Sequence, residues 1–277
     1  MSIARTIAAW LTATETTKGP VELATQAEVD AETSTDTAIT PETLVGKPSV
    51  GRLLDVQAFI NSGTWTKPAG TRLVEVFAIG GGGGAAKVTG GTSDWRIGGA
   101  GGGGGFGYGM FLASGWGATV AVTIGAGGAA GSGTNGSGGT GGDTEFNGTS
   151  SPYVEAKGGS GGGGAVSGDT VGTAGLGRSA NVVGEIADSA VIIDGNDAWG
   201  GHKTGSTHCG MVGGGSNGPF GCPSPQNRSI ISGGRDGAAT ATGARGTGGS
   251  GAVAVNTTFP YLGKAGQKGW LMVKSYS

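Results

Sequence analysis

The scarcest side chains in this sequence are also its most reactive, and they lie together. Both histidines and both cysteines fall within residues 202–222, as His202, His208, Cys209 and Cys222. Imidazole and thiolate are zinc ligands, but their spacing here matches no familiar zinc arrangement. No metal is assigned on this basis, and His202 and His208 are weak candidates. A Cys209–Cys222 disulfide would close the loop between them in oxidising surroundings, whereas a reducing cytosol would leave two thiols. Disulfide, metal and unlinked side chains all stay open. A second group, Asp188, Asp194 and Asp197, offers the carboxylates that a glycosidase pair requires. Such acids are also common in polar loops, and no saccharide-cleaving pair is assigned to them. The pattern G-x-S-x-G occurs around Ser160 and Ser216, but inside glycine runs rather than at a strand-to-helix elbow. G-x-G-x-x-G matches arise by chance at this glycine content, and no G-x-x-x-x-G-K-[ST] occurs. The sequence therefore predicts no enzyme and no cofactor.

What must position these residues is a chain dominated by glycine. It holds 66 glycines in 277 residues, and 63 of them lie beyond residue 60. Glycine loses the most backbone entropy on ordering and offers no side chain to a core, so a flexible linker is the simplest reading. Two features oppose it. The glycines fall locally into phase three, as Gly125/Gly128/Gly131, Gly133/Gly136/Gly139/Gly142, Gly215/Gly218/Gly221, Gly243/Gly246/Gly249 and Gly263/Gly266/Gly269. Apolar strand-like stretches also separate them. Period three belongs to the polyproline-II helix, which makes no internal hydrogen bonds. Bare glycine faces let such helices approach until the N–H of one meets the C=O of the next. The expected fold is mainly β and irregular: a sandwich of polyglycine-II helices framed by strands near 72–79, 118–124, 252–258 and 270–276. Collagen is excluded, because the phase breaks and nine prolines are too few.

The composition shift near residue 60 divides the chain into a segment 1–57 and a glycine-rich domain 58–277. Net charge is −2, with no basic stripe, so the footprint of nucleic-acid binding is absent. No apolar run approaches the roughly 20 residues of a membrane-spanning helix, so the chain is not expected to be membrane-embedded. Residues 1–13 read as a short amphipathic helix with Ile3, Ile7 and Leu11 on one face rather than as a signal peptide. Pro20 is expected to open a second helix through Val21, Leu23, Ala27 and Val29, and Thr40–Pro41 a third. None is long enough to stand alone, so the N-terminal segment is expected to dock or oligomerise.

The stretch from Ala13-Thr-Glu-Thr-Thr-Lys-Gly-Pro to Ala38-Ile-Thr-Pro-Glu-Thr-Leu44 resembles the tail-fibre repeat of tailed bacteriophages. The stretches Gly63-Thr-Trp-Thr-Lys-Pro-Ala-Gly70, Leu73–Ile79 with Gly80–Gly84, Gly101–Gly109 and Gly141–Phe146 resemble the small receptor-binding proteins at tail-fibre tips. That resemblance implies a homotrimeric fibre joined through its N-terminus to other phage tail or baseplate proteins. It also implies location in the virion at the distal tail fibre, assembly in the bacterial cytoplasm, and host adhesion by binding a bacterial surface glycan or protein. Alternatives are a structural connector or cap without host contact and, further off, a glycine-helix ice-binding protein.

Interruptions near 85–97 and 165–231 carry the aromatic and charged groups that the glycine body lacks. Rigid scaffolds present binding residues on such loops, and Trp and Arg are common hot-spot anchors. The expected receptor contacts are Asp94, Trp95, Arg96, Asp194, Asp197, Trp199, Lys203, Phe220 and Arg228. Of these, Trp95, Arg96, Trp199, Lys203, Phe220 and Arg228 are expected to be more exposed than Trp65, Trp270, Phe77 and Phe106, which read as packing residues.

Overall fold

The structure, a computed structural model, describes residues 22–31, 37–38, 40, 51–186, 189–198, 233–237 and 245–277. The chain forms two units, one of Met1–Leu53 with Tyr276–Ser277 and one of Leu54–Ser275. Described residues are mainly β-sheet, with one six-residue helix and one 3-10 turn at Ala113–Gly115.

In the first unit, β1 (Glu22–Leu23) pairs in parallel with β2 (Thr37–Ala38) across α1 (Gln26–Ala31). The helix therefore starts later than expected, and Leu23 lies in a strand. Thr25 explains the start. Its hydroxyl accepts from Glu28 N–H at 3.3 Å, while Glu28 Oε2 accepts from Thr25 N–H at 2.9 Å. This reciprocal capping box fixes the first turn at Gln26. The helices expected at 1–13 and after Thr40 lie outside the described residues, as do Pro20 and Val21.

The second unit begins as a β-sandwich. The strands are β3 (Leu53–Phe59), β4 (Gly63–Thr66) and β5 (Leu73–Ile79), then two short ones, β6 (Val88–Thr89) and β7 (Trp95–Ile97). They continue as β8 (Phe106–Leu112), β9 (Thr119–Thr123), β10 (Thr144–Phe146), β11 (Tyr153–Ala156), β12 (Thr170–Val171), β13 (Ala180–Val183) and β14 (Val191–Ile193). The last are β15 (Gly233–Arg235), β16 (Val253–Val255), β17 (Pro260–Tyr261) and β18 (Trp270–Tyr276). One five-stranded sheet has the order β13-β11-β10-β9-β4 and the other β14-β8-β5-β18-β3. Side chains alternate across each strand, so Val74, Val76 and Ala78 of β5 point inward. They meet Val120 and Val122 of β9, Val154 of β11, and Leu271 and Val273 of β18. Trp65, Trp116 and Phe146 fill the centre edge to face, with ring centroids 5.1–6.3 Å apart. Trp65 and Phe106 are buried as expected, and Phe111 is buried with them. Phe77, Tyr108 and Trp270 are half-buried, with the Phe77 and Tyr108 rings 4.8 Å apart.

Most sandwich strands adjoin a glycine run. β5 enters run 80–87, run 98–105 feeds β8, β9 enters 125–131, and 136–142 feeds β10. β11 enters 157–164, 172–179 feeds β13, β14 enters 194–198, and 263–269 feeds β18. Hydrogen bonds between runs recur every third residue. Gly80, Gly83 and Ala86 donate to Gly105, Gly102 and Gly99; Gly81, Gly84 and Lys87 donate to Gly142, Gly139 and Gly136; Gly82 and Ala85 donate to Gln267 and Lys264. The carbonyls of run 80–87 accept in turn from Gly128 and Gly131, from Gly159 and Gly162, and from Gly249, all at 2.8–2.9 Å. Run 80–87 is thus surrounded by six neighbours, which also bond to one another in a closed ring. The descending registers identify three neighbours as antiparallel and alternate them with three parallel ones. All three sides of this run must be bare, which accounts for Gly80–Gly84. A Cβ on Gly83 would collide with the Ser160 carbonyl, and one on Gly84 with that of Ala129. Peripheral runs need glycine only where they touch a neighbour. Gly125, Gly128 and Gly131 are buried, whereas Ala126, Ala129 and Ser132 between them face solvent.

Two expectations change here. Gly133 and Gly246 belong to turns, with φ of 69° and 68°, rather than to the regular phase. The interruption expected over 165–231 contains ordered scaffold, because run 172–179 buries Gly172 and Gly175 and bonds to three other runs. The irregular spacing of its glycines hid it. The interruption near 85–97 likewise supplies the end of run 80–87, β6 and β7.

Candidate functional site

At the ends of the runs remote from the sandwich, short segments converge into a cap. β12-β7-β16-β15 form one small sheet and β17-β6 another. Polar groups there hold the segments together. Arg96 Nη2 donates to Asp94 Oδ2 at 2.7 Å and Nη1 to the Thr89 carbonyl at 2.7 Å. Asp94 also accepts from Gly91 N–H, and its carbonyl accepts from Asn256 N–H at 2.8 Å. Partial burial by itself would raise the Asp94 carboxyl, but the Gly91 N–H and the Arg96 guanidinium outweigh it and hold the group below its ordinary value. Trp95 N–H donates to Asp169 Oδ1 at 3.1 Å, and its ring packs on Ile97, Val253 and Val255. Asp236 Oδ1 accepts from Leu262 N–H at 2.8 Å.

Trp95 and Arg96 are more exposed than Trp65 and Phe106, as expected, but they are half-buried in the same way as Phe77 and Trp270. The side chains of Arg96 and Asp94 are 15% and 18% exposed, and Trp95 is half-buried. With few large side chains available, the cap draws its own core and clamp from them. Asp194 and Asp197 are exposed but lie on run 194–198, which starts from the sandwich, so they do not join Asp94. Asp197 Oδ1 accepts from Gly177 N–H at 2.8 Å and fastens two runs together. Trp199, Lys203, Phe220 and Arg228, with His202, His208, Cys209 and Cys222, lie outside the described residues. The cap instead exposes apolar side chains: Val166 is 77% exposed, Phe259 71% and Leu262 47%. None of the three is of the Trp or Arg type common among hot-spot anchors. The signal for Phe259 was its place before Pro260, which holds the chain extended.

A second polar group lies where runs meet the sandwich. An open groove of about 480 Å³ is lined by Thr140, Gly141, Gly142, Asp143, Lys157, Gly158 and Arg178. Beside it, Asp143, Glu145 and Glu155 bring carboxylate oxygens within 4.8 Å of one another. Lys157 Nζ donates to Asp143 Oδ2 at 3.1 Å and to Glu155 Oε1, supplying the cation that the cluster needs. Its contact with Glu155 raises the Lys157 amine above its usual value. Burial, then the neighbouring Glu155 and Asp143 charges, raise the Glu145 carboxyl. Ser160, the centre of one G-x-S-x-G match, lies within run 157–164, where its hydroxyl accepts from Arg178 Nε at 3.3 Å.

Sheets, runs and composition together define a mainly β, glycine-rich class of protein. The chain belongs to the glycine-rich domain family, whose model matches residues 57–276. No curated protein matches it significantly. No described helix is long and apolar enough to cross a membrane.

Proposed function

We propose that the chain is a tail-fibre tip adhesin of a bacteriophage and that its cap binds a bacterial surface receptor. In this reading the glycine runs are a polyglycine-II sandwich, acting as a stiff spacer. The observation that carries the proposal is the segregation of the second unit: sandwich at one end of the runs, irregular loops with exposed Val166, Phe259 and Leu262 at the other. Burying such side chains contributes about 25 cal/mol per Å², and the runs themselves present little besides peptide groups. Trp199, Lys203, Phe220 and Arg228 are proposed as further receptor contacts. Asp94 and Arg96 hold the cap in shape. The N-terminal segment is proposed to trimerise and to join the fibre, placing the protein at the distal tail of the virion after assembly in the host cytoplasm. Labelled full-length protein should adsorb to host cells and lose adsorption to a host mutant lacking one component, whether lipopolysaccharide, pilus or outer-membrane protein. Undiminished adsorption to all three mutants, or none to the parent host, would favour a fibre connector instead.

A further inference from the structure

Glu155 is the one charged residue buried among the described residues, at 4% exposure, although it lies on the outward side of β11. Its two oxygens serve different partners. Oε1 accepts from Lys157 Nζ, and Oε2 accepts from Asn181 Nδ2 at 2.8 Å. Asn181 stands directly opposite Glu155 on the neighbouring β13. The pairing continues past β11, with Lys157 N–H donating to the Ser179 carbonyl at 3.0 Å. One buried carboxylate therefore holds a primary amine and a carboxamide, one at each oxygen. A group placed in this way can move protons between an attacking amine and a leaving amide nitrogen.

We infer that Lys157 and Asn181 become joined by an isopeptide bond, with Glu155 as the acid–base group. The Lys157 ammonium passes a proton to Glu155, and the freed Nζ lone pair attacks Asn181 Cγ, forming a C–N bond. Glu155 returns the proton to Nδ2 and accepts another from Nζ. The Cγ–Nδ2 bond breaks and nitrogen departs as ammonia, taking up the remaining proton. No oxidant, reductant or further reactant enters. Glu145 stands directly opposite Glu155 in register, on the side away from Asn181. Asp143 holds Nζ in the groove at 3.1 Å; a carboxylate is a poorer electrophile than a carboxamide. Because the contact with Glu155 raises the Lys157 amine, the neutral form is scarce near neutrality and the reaction gains speed in alkali.

The bond would close a ring through runs 157–164 and 172–179, which have little side-chain core of their own. Glycine-rich segments gain the most entropy on unfolding, and covalent closure removes part of that gain, as it does for a disulfide-closed loop. The expected rise in melting temperature is on the order of 10 °C. The test is intact-mass and peptide mapping of the full chain after incubation at alkaline pH. The folded protein should be lighter by one ammonia and yield a peptide pair linked through Lys157 and Asn181. Lys157→Arg and Glu155→Gln should keep the full mass while circular dichroism shows them folded. Cyclisation at Asn135–Gly136 would also release ammonia, so the linked peptides decide. Absence of that pair from the folded wild-type protein overturns the inference, as does loss of water with a link to Asp143.

Discussion

Gly84 has no room for a methyl group, because its missing Cβ would lie against the Ala129 carbonyl in a neighbouring run. Gly117 has nothing nearer than the Thr119 carbonyl at 3.9 Å. Gly84→Val should therefore lower stability by about 3 kcal/mol or more through overpacking, whereas Gly117→Ala should stay within about 0.5 kcal/mol. Chemical denaturation measures both, and equal tolerance would mean that the runs are not packed. Gly136→Val should behave like Gly84→Val. Gly246→Val adds the strain of a left-handed backbone and a close approach to Ile79, so it tests the turn instead. Glu145 gives a pH signature. Its folded-state carboxyl is raised, so its contribution is present below the unfolded value and is lost as pH rises through the folded one. Glu145→Gln should melt higher than wild type at neutral and alkaline pH and converge with it in acid, by calorimetry across pH. A neutral-pH melting temperature lower than wild type would contradict that sign.

The strands were legible because alternation at 73–79 and 270–276 is set by residues that must choose a face, and β5 and β18 occupy those stretches. Phase three was legible in peripheral runs, where the outward side tolerates residues other than glycine. It could not identify the central run, where glycine on every side erases any phase. Nor could it reveal run 172–179, where Arg178 and Ser179 occupy its last positions before β13. The capping box of α1 was readable as Thr25-x-x-Glu28 and was missed because Pro20 offered an earlier start. At the cap, residue type suggested exposed anchors, but pairing partners distant in sequence decided otherwise: Asp94 meets Asn256, and Trp95 meets Asp169 and Val253. Trp95→Ala should consequently lower the melting temperature as well as any adsorption. An unchanged melting temperature would contradict this packing role for Trp95.

Apolar core, glycine runs and cap divide the labour of the second unit. The sandwich contributes hydrophobic burial, the runs contribute backbone pairing, and the cap displays the large side chains that remain. The proposed trimer rests on the sequence spacing of Ile3, Ile7 and Leu11, which is that of one apolar helical face. Light scattering should accordingly find a trimer for the full chain and a monomer for a fragment beginning near Leu53. A monomeric full chain would remove the proposed trimer.

Adsorption of two paired variants to host cells tests the central claim most directly. Val166→Ser with Phe259→Ser alters the cap, while Val191→Ser with Ile193→Ser alters equally apolar, exposed positions on the sandwich edge. With folding verified for both, the cap pair should lose at least tenfold in affinity, which corresponds to about 1.4 kcal/mol, and the edge pair should bind as wild type does. Full adsorption by the cap pair with loss by the edge pair would place the receptor surface on the sandwich and contradict the account.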